Sequence, residues 1–238
     1  MTTDTKTERK NAVVTGASRG LGRAVAERLA REGHRVLLVA RGEEALHDVV
    51  EALVASGADA HALALDVAAP EAGATIAAVA HELLGPVDLL VNNASTLGPV
   101  PLVPLTETSD DAFERALAVN LSAPFRLTRA VVGAMVLRGE GTVVLVSSDA
   151  AVDAYPSWGA YGASKAGLDH LARIWAAELE GTGVRVLSVD PGEMDTRMHA
   201  LALPDANRNT LARPEDVAGA LLVRLVDAPS GTRIGGLS

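Results

Sequence analysis

Two residues in this 238-residue chain stand out for chemistry: Tyr161 and Lys165, four positions apart within a helical pattern. Side chains at i and i+4 share one helix face, so a phenol and an ammonium here can address the same reacting atom. Composition singles out the lysine. Only three of the 21 Lys and Arg residues are lysines, and Lys6 and Lys10 lie in the polar first ten residues, which leaves Lys165 alone in the expected folded body. A compact ammonium kept in an arginine-biased chain points to a need that a planar guanidinium does not meet. A free phenol titrates near ~10 and is a slow base at neutral pH. An adjacent ammonium favours the phenolate, as would a cationic ring bound beside it, and a fall of ~2–3 units corresponds to about 3–4 kcal/mol. Such a tyrosine can protonate a carbonyl oxygen or deprotonate an alcohol. Ser148 ends an apolar run 13 residues earlier. Its hydroxyl can serve the same oxygen, although paired serines such as Ser147 and Ser148 also cap turns. Tyr155 has no lysine four residues on and reads as a packing residue at the helix entrance.

A second constellation lies near the start. The apolar run 11–15 leads into Gly16, Ala17, Ser18, Arg19, Gly20, Leu21 and Gly22, then into an amphipathic stretch with Val25, Leu29 and Ala30 on one face. Glycines where a strand turns into a helix let the backbone approach a pyrophosphate, and the helix N-terminus adds N–H donors and a positive dipole. The spacing is G-x3-G-x-G, and without Gly-Lys-Ser/Thr it is no P-loop. Glycine-rich turns also occur without a ligand, so the flanking strand and helix carry the dinucleotide reading. Which dinucleotide depends on the end of the second strand, where an acidic residue would bond a ribose 2′-hydroxyl. Here Ala40 is followed by Arg41, and Arg19 sits in the glycine turn. Two guanidiniums suit a 2′-phosphate, which favours NADP(H) over NAD(H). The alternative leaves Arg41 solvated and gives the ribose to Glu43 or Glu44, which the helix dipole already explains.

These groups need elements to hold them. Strand-like runs cover 11–15, 35–40, 60–65, 87–91, 141–147 and 184–190, and helical patterns cover 20–32, 43–56, 70–84, 109–137 and 156–180. Continuous apolar runs such as VLLVA and VVLV imply strands buried on both faces, hence a parallel sheet between helices. The alternation predicts an α/β, doubly wound fold that binds ligands at the carboxyl ends of its strands. Residues 1–10 read as a flexible tail and 11–238 as one dinucleotide-binding and catalytic domain, with no linker or repeat dividing it. Absence of cysteine excludes disulfides, thiolate metal sites and a cysteine nucleophile; no metal is expected, and a reducing, cytoplasmic setting is. A net charge of -9 argues against nucleic acid. No apolar run reaches the ~20 residues of a membrane span, and the first residues lack the pattern of a signal peptide.

As a set, TGASRGLG, NNAS (92–95), Asn120, Ser148, Tyr161-x3-Lys165 and Pro191-Gly192 resemble the short-chain dehydrogenase/reductase family, in its order and spacing over about residues 10–198. The resemblance implies a Rossmann-like, three-layer α/β/α sandwich and NADP(H)-dependent hydride transfer between nicotinamide and a carbonyl or secondary alcohol. It implies that Tyr161 is the acid/base, that Ser148 steadies the substrate oxygen, that Lys165 also holds the nicotinamide ribose, and that Asn120 belongs to a proton relay. It places Gly16, Ser18, Arg19, Gly20, Leu21, Gly22 and Arg41 along the cofactor. It adds Asp66 beside the adenine with Val67 next to it, Asn93 near a ribose, Pro191 and Gly192, and Thr196 on the carboxamide.

The residues support Asn120 independently. Phe113, Leu117 and Pro124 put it on the apolar face of the helix 109–137, where an amide must find partners. Pro124 cannot donate to the carbonyl of Asn120, which is left for a water; a plain proline-kinked helix is the alternative. Ser95 departs from the family's usual glycine. Specificity is expected from 95–105, 149–158 and 193–204, where Trp158 and Met198 favour a small nonpolar or mixed carbonyl compound and His199 reads equally as a solvated lid residue. The family's assembly implies a homodimer or homotetramer through helices 109–137 and 156–180, with Leu168, Leu171 and Trp175 as a candidate stripe. Residues 199–238 carry no signature beyond a helix after Pro214. A non-catalytic NADP(H)-binding sensor of the same fold is the second functional class, and the intact Tyr161, Lys165, Ser148 and Asn120 favour the enzyme.

Overall fold

The computed structural model describes residues 9–237, so most of the tail expected at 1–10 lies outside the described residues. The strands are β1 (Asn11–Thr15), β2 (Arg35–Ala40), β3 (Ala60–Ala64), β4 (Leu89–Asn92), β5 (Gly141–Val146), β6 (Val184–Val189) and β7 (Arg233–Ile234). All pair in parallel, in the order β3-β2-β1-β4-β5-β6-β7. Val14 faces Leu38 on one side and Val91 on the other. Chain order reverses there, so a crevice opens beyond the carboxyl ends of β1 and β4.

Eight helices cover the sheet among the described residues: α1 (Gly20–Arg31), α2 (Glu43–Ala55), α3 (Ala72–Leu84), α4 (Asp110–Leu117), α5 (Ala123–Arg138), α6 (Gly159–Glu178), α7 (Arg197–Ala202) and α8 (Pro214–Asp227). Successive strand residues point to opposite faces. Val14, Leu38, Val144 and Leu187 therefore pack with Val25 and Leu29 of α1, Leu46 of α2 and Leu221 of α8. Val13, Leu37, Leu145 and Val186 pack on the other face with Ile76 of α3, Leu127 and Val131 of α5 and Leu168 of α6. Both sides of the sheet are covered, as the unbroken apolar runs require. Leu168 is consumed in this core and does not belong to an outer stripe.

The strands keep their expected places within about two residues, and the departures have local causes. The helix expected over 109–137 is interrupted by a π-helical turn, Ala118–Ser122. Pro124, in the first turn of α5, offers no N–H to the carbonyl of Asn120, and the hydrogen-bond ladder widens there. Helix α6 starts at Gly159 rather than 156, because Ser157 just before it adopts a positive φ of 70°. The two-residue β7 and six-residue α7 were not expected, being too short to show a period. No helix among the described residues is long and apolar enough to cross a membrane.

Candidate active site

The glycine turn is pressed against the end of β4. A Cβ on Gly22 would stand 2.3 Å from Asn93 Nδ2 and 2.5 Å from the carbonyl oxygen of Gly16, and Gly16 itself has a φ of 69°. Asn93 Nδ2 donates to Thr15 O at 2.9 Å, and the Thr15 hydroxyl accepts from the amides of Asn93 and Ala94, each at 3.0 Å. Asn93, implied beside a ribose, thus also braces the turn.

Just beyond, the N-terminus of α1 is left open. Its N-cap, Arg19, makes no side-chain cap, and the first turn holds no acidic residue. By contrast, Ser109 caps α4 by accepting from the Ala112 amide, and Thr196 caps α7 by accepting from the His199 amide. The first amides of α1 therefore lack acceptors and point at whatever occupies the crevice. The nearest atom to a Cβ on Gly20 is the Thr196 methyl at 3.4 Å, which sets the α7 N-cap beside the cradle. Arg19 and Arg41 are exposed and, among the described residues, form no ion pair. Asp66 pairs with Arg115 at 2.7 Å. Burial would raise its carboxyl, but the Ala68 amide, Arg115 and the charge of Arg41 together hold it below the usual carboxylate range. Val67 is half-buried next to it. At the end of β6, Pro191 is buried and the Gly192 amide donates to Asp190 Oδ1 at 3.1 Å.

Tyr161 and Lys165 project together from α6 and are only 7% and 2% exposed. Lys165 Nζ donates to the carbonyl of Val146 at 2.6 Å and sits 5.5 Å from the Tyr161 ring centroid. Ser148 follows β5 and opens a short 3-10 turn, Asp149–Ala151, accepting from the Ala150 amide at 3.2 Å. Its own proton goes to Asp149 Oδ1 at 2.7 Å. Asn120, fully buried in the π-helical turn, has every side-chain position taken. Its Oδ1 accepts from Ser95 Oγ at 3.1 Å and from the Thr96 amide at 2.9 Å. Its Nδ2 donates at 2.8 Å each to Thr96 O and to Ser164 Oγ, and that serine donates at 2.6 Å to the Tyr161 carbonyl. The amide thereby ties the loop after β4 to the turn of α6 that carries the tyrosine.

The electrostatics of the cofactor-free pair are set by burial. Burial pushes the Tyr161 phenol up to about 12, and the charges of Asp149 and Asp190 act in the same direction against hydrogen bonding by Ser148 and Ser95. Burial also brings Lys165 down to about 8, opposed by Asp169. Without a cofactor's cationic ring beside it, the phenol is thus held protonated, and its ammonium neighbour alone does not prime it. The reason is that Nζ lies over the ring, bonded to a backbone carbonyl, while both groups have lost their water.

The rim is apolar. Trp158 meets Tyr161 edge-on at 5.7 Å, and Leu97, Leu102, Ala150 and Met198 complete the wall. Tyr155, expected as a packing residue, is exposed and donates its hydroxyl to Asp149 Oδ2 at 2.9 Å. His199, read as a possible solvated lid residue, has a side chain only 12% exposed, 3.5 Å from Glu193.

Three participants were missed. Asp149 had a visible signal, a carboxylate next to Ser148. Ser164, inside the Tyr161–Lys165 interval, looked like any helical serine. Arg233 had none, since β7 shows no period. Its Nε donates to Asp169 Oδ2 at 2.9 Å, and its Nη2 donates to Ser148 O at 2.8 Å and Asp190 Oδ2 at 3.2 Å.

Residues 10–207 match the family model described as short chain dehydrogenase. A short chain dehydrogenase of Pseudocercospora fijiensis is 39% identical over 204 residues, which is 86% of this chain and 65% of that protein. The 1-deoxy-11-beta-hydroxypentalenate dehydrogenase of Streptomyces exfoliatus is 37% identical over 211 residues, covering 87% of this chain and 76% of that one. A crystal structure of an actinorhodin polyketide ketoreductase variant with NADPH superposes with a TM-score of 0.88 at 29% identity, covering 95% of each chain. The chain thus spans just under two thirds of the length of the first relative.

Proposed function

The chain belongs to the short-chain dehydrogenase family, and on that premise we propose that it transfers hydride between NADP(H) and a small carbonyl or secondary-alcohol compound. As a member of that family it is an oxidoreductase acting on alcohol or carbonyl groups. The observation that carries the proposal is the convergence of buried Tyr161, Lys165 and Asn120 with the half-buried Ser148 at the strand ends, beside the open N-terminus of α1.

The residues present fit a dinucleotide. Uncapped amides and close-packed glycines accommodate a pyrophosphate, and two exposed guanidiniums without carboxylate partners suit a 2′-phosphate. When bound, the nicotinamide supplies or accepts the hydride. In reduction, Tyr161, protonated at neutral pH, gives its proton to the substrate oxygen as the hydride reaches the carbon. Ser148 turns its hydroxyl from Asp149 toward that oxygen. Lys165, largely an ammonium at pH 7, compensates the phenolate left behind. Because the Asn120 amide is already saturated, its part in a relay rests on its backbone carbonyl, which Pro124 leaves without a helical donor. In alcohol oxidation the same groups run in reverse, with Tyr161 as base.

The apolar wall of Leu97, Leu102, Trp158 and Met198 favours a nonpolar or mixed substrate, and the NADPH-bound ketoreductase neighbour supports carbonyl chemistry. We further read 11–238 as one domain. We read the assembly as a homodimer or homotetramer through α5 and α6, where Phe125 stacks on Trp175 at 6.3 Å.

The test is a panel of carbonyls and alcohols followed by nicotinamide absorbance, with Tyr161→Phe in parallel. Wild-type turnover that falls about 100-fold or more in the variant, with NADPH affinity retained, supports the enzyme. NADPH binding without turnover of any substrate in either protein marks a sensor instead.

A further inference from the structure

Arg233 makes more contacts around the candidate site than any role in sheet pairing needs. β7 pairs Arg233 with Ser188 and Ile234 with Val189 at the edge of the sheet, and the Arg233 side chain then crosses to three other segments. Its bonds to Asp169, the Ser148 carbonyl and Asp190 join α6, the end of β5 and the end of β6. Those segments carry Lys165, Ser148 and the Pro191-Gly192 turn. Asp169 lies one helical turn beyond Lys165 and is 8% exposed, so its charge would act on the ammonium strongly if left unpaired.

We propose that Arg233 is a positioning residue for the acid–base pair: it fixes the Ser148 peptide and pairs with Asp190 and Asp169, so that the phenol and the ammonium each face an ion-paired rather than a bare carboxylate. This rests on the reading of Tyr161 as the acid/base. The charged groups that act on the phenol are Asp149 after β5 and Asp190 after β6; Asp169, one turn beyond Lys165 on the same helix, acts on the ammonium, and Arg233 from β7 pairs with both Asp169 and Asp190. The segment after β4 and the π-helical turn present only the neutral Ser95, Thr96 and Asn120. Among the cations, only Arg233 bridges two of these carboxylates. Its charge also helps hold the Asp149 carboxyl low, chiefly against burial and together with the hydrogen bonds from Ser148, Tyr155 and Ala150. A lysine in its place would present a point charge and could not fork between carboxylates and carbonyl.

The experiment compares Arg233→Gln, Arg233→Lys and Asp190→Asn with wild type. It reads the pH profile of kcat/KM and, in a Tyr155→Phe background with NADP+ bound, the phenolate absorbance of Tyr161. Arg233→Gln leaves Asp190 unpaired beside the phenol, so the Tyr161 titration moves to higher pH by about half a unit or more. Asp190→Asn removes an anion beside the phenol and leaves Arg233 paired one to one with Asp169, so the titration moves lower. Arg233→Lys keeps the charge, so the titration stays near wild type while kcat falls with the loosened Ser148. A purely structural clasp would lower the melting temperature and leave every titration in place, which overturns the proposal. If Arg233→Gln does not fold, an unmoved or upward titration in Asp190→Asn overturns it alone. A wild type that turns over no substrate counts against the enzyme reading, and the absorbance titration still decides this one.

Discussion

Replacing Tyr155 with Phe leaves Tyr161 as the only tyrosine, since the chain has two. The ultraviolet absorbance of phenolate in that variant then reports one group. A phenol moved from 10.0 to about 12 by burial carries about 3 kcal/mol of unfavourable ionisation, at roughly 1.4 kcal/mol per unit. At pH 10 about one molecule in a hundred should hold a Tyr161 phenolate without cofactor, against about half for a free phenol. Unfolding the variant in denaturant should return the titration to near the free value. Linkage fixes the sign of the stability effect: between about pH 10 and 12 the unfolded chain loses this proton first, so stability falls as pH rises through that window. Adding NADP+, whose ring is cationic, should bring the phenolate in at lower pH. Half-ionisation at pH 10 or below in the cofactor-free, folded variant would refute the claim that burial outweighs the neighbouring ammonium.

Lys165→Met should stabilise the cofactor-free protein at pH 7 by about 2 kcal/mol, the burial cost of the ammonium less one lost hydrogen bond. Because Lys165 is lowered to about 8, that advantage should be full below pH 8 and fade toward the unfolded value near ~10.5; urea denaturation at two pH values checks it, and a loss of stability at pH 7 contradicts it. Arg19→Ala combined with Arg41→Ala should weaken NADPH at least about tenfold and leave NADH nearly unchanged; equal losses, measured by fluorescence titration, would remove the 2′-phosphate contact. Ser95→Gly takes away the hydroxyl on Asn120 Oδ1 while the Thr96 amide still holds it, so kcat should drop about fivefold with little change in KM; an unchanged kcat in steady-state assays would leave Ser95 without a role.

Sequence periodicity made the sheet legible because its strands are buried on both faces, where VLLVA and VVLV cannot sit in water. The glycine turn and the Tyr161–Lys165 spacing were legible because each places its groups by local geometry alone. What stayed hidden depended on long-range geometry. Arg233 reaches its partners 43 to 85 residues away in sequence, from a strand too short to show a pattern. The π-helical turn was half legible: Pro124 announced a missing donor, but how the ladder would rearrange depended on Asn120 being gripped by Thr96 and Ser164. The cofactor-free state of the phenol was not legible, because spacing reveals a neighbouring charge and says nothing about lost water, and without the cofactor the lost water dominates.

The features that look unfavourable in the isolated chain point the same way. The first amides of α1 lack a cap, Arg19 and Arg41 lack carboxylates, Lys165 holds a costly buried charge, and Tyr161 resists ionisation. Local rules would have removed each cheaply: an Asp at the α1 N-cap, a Glu beside Arg41, a Met at 165. Two exceptions are satisfied internally, Asn120 and Asp66, and both are committed to holding elements together. The unsatisfied groups present donors or positive charge toward the crevice at the strand ends. The phosphates of a dinucleotide would satisfy the α1 amides and the two guanidiniums, and a ring that is cationic when oxidised would ease the ionisation of Tyr161, raising the stability of the fold by mass action as the ligand binds. On this reading, binding that ligand both prepares the phenol and completes the folding energetics.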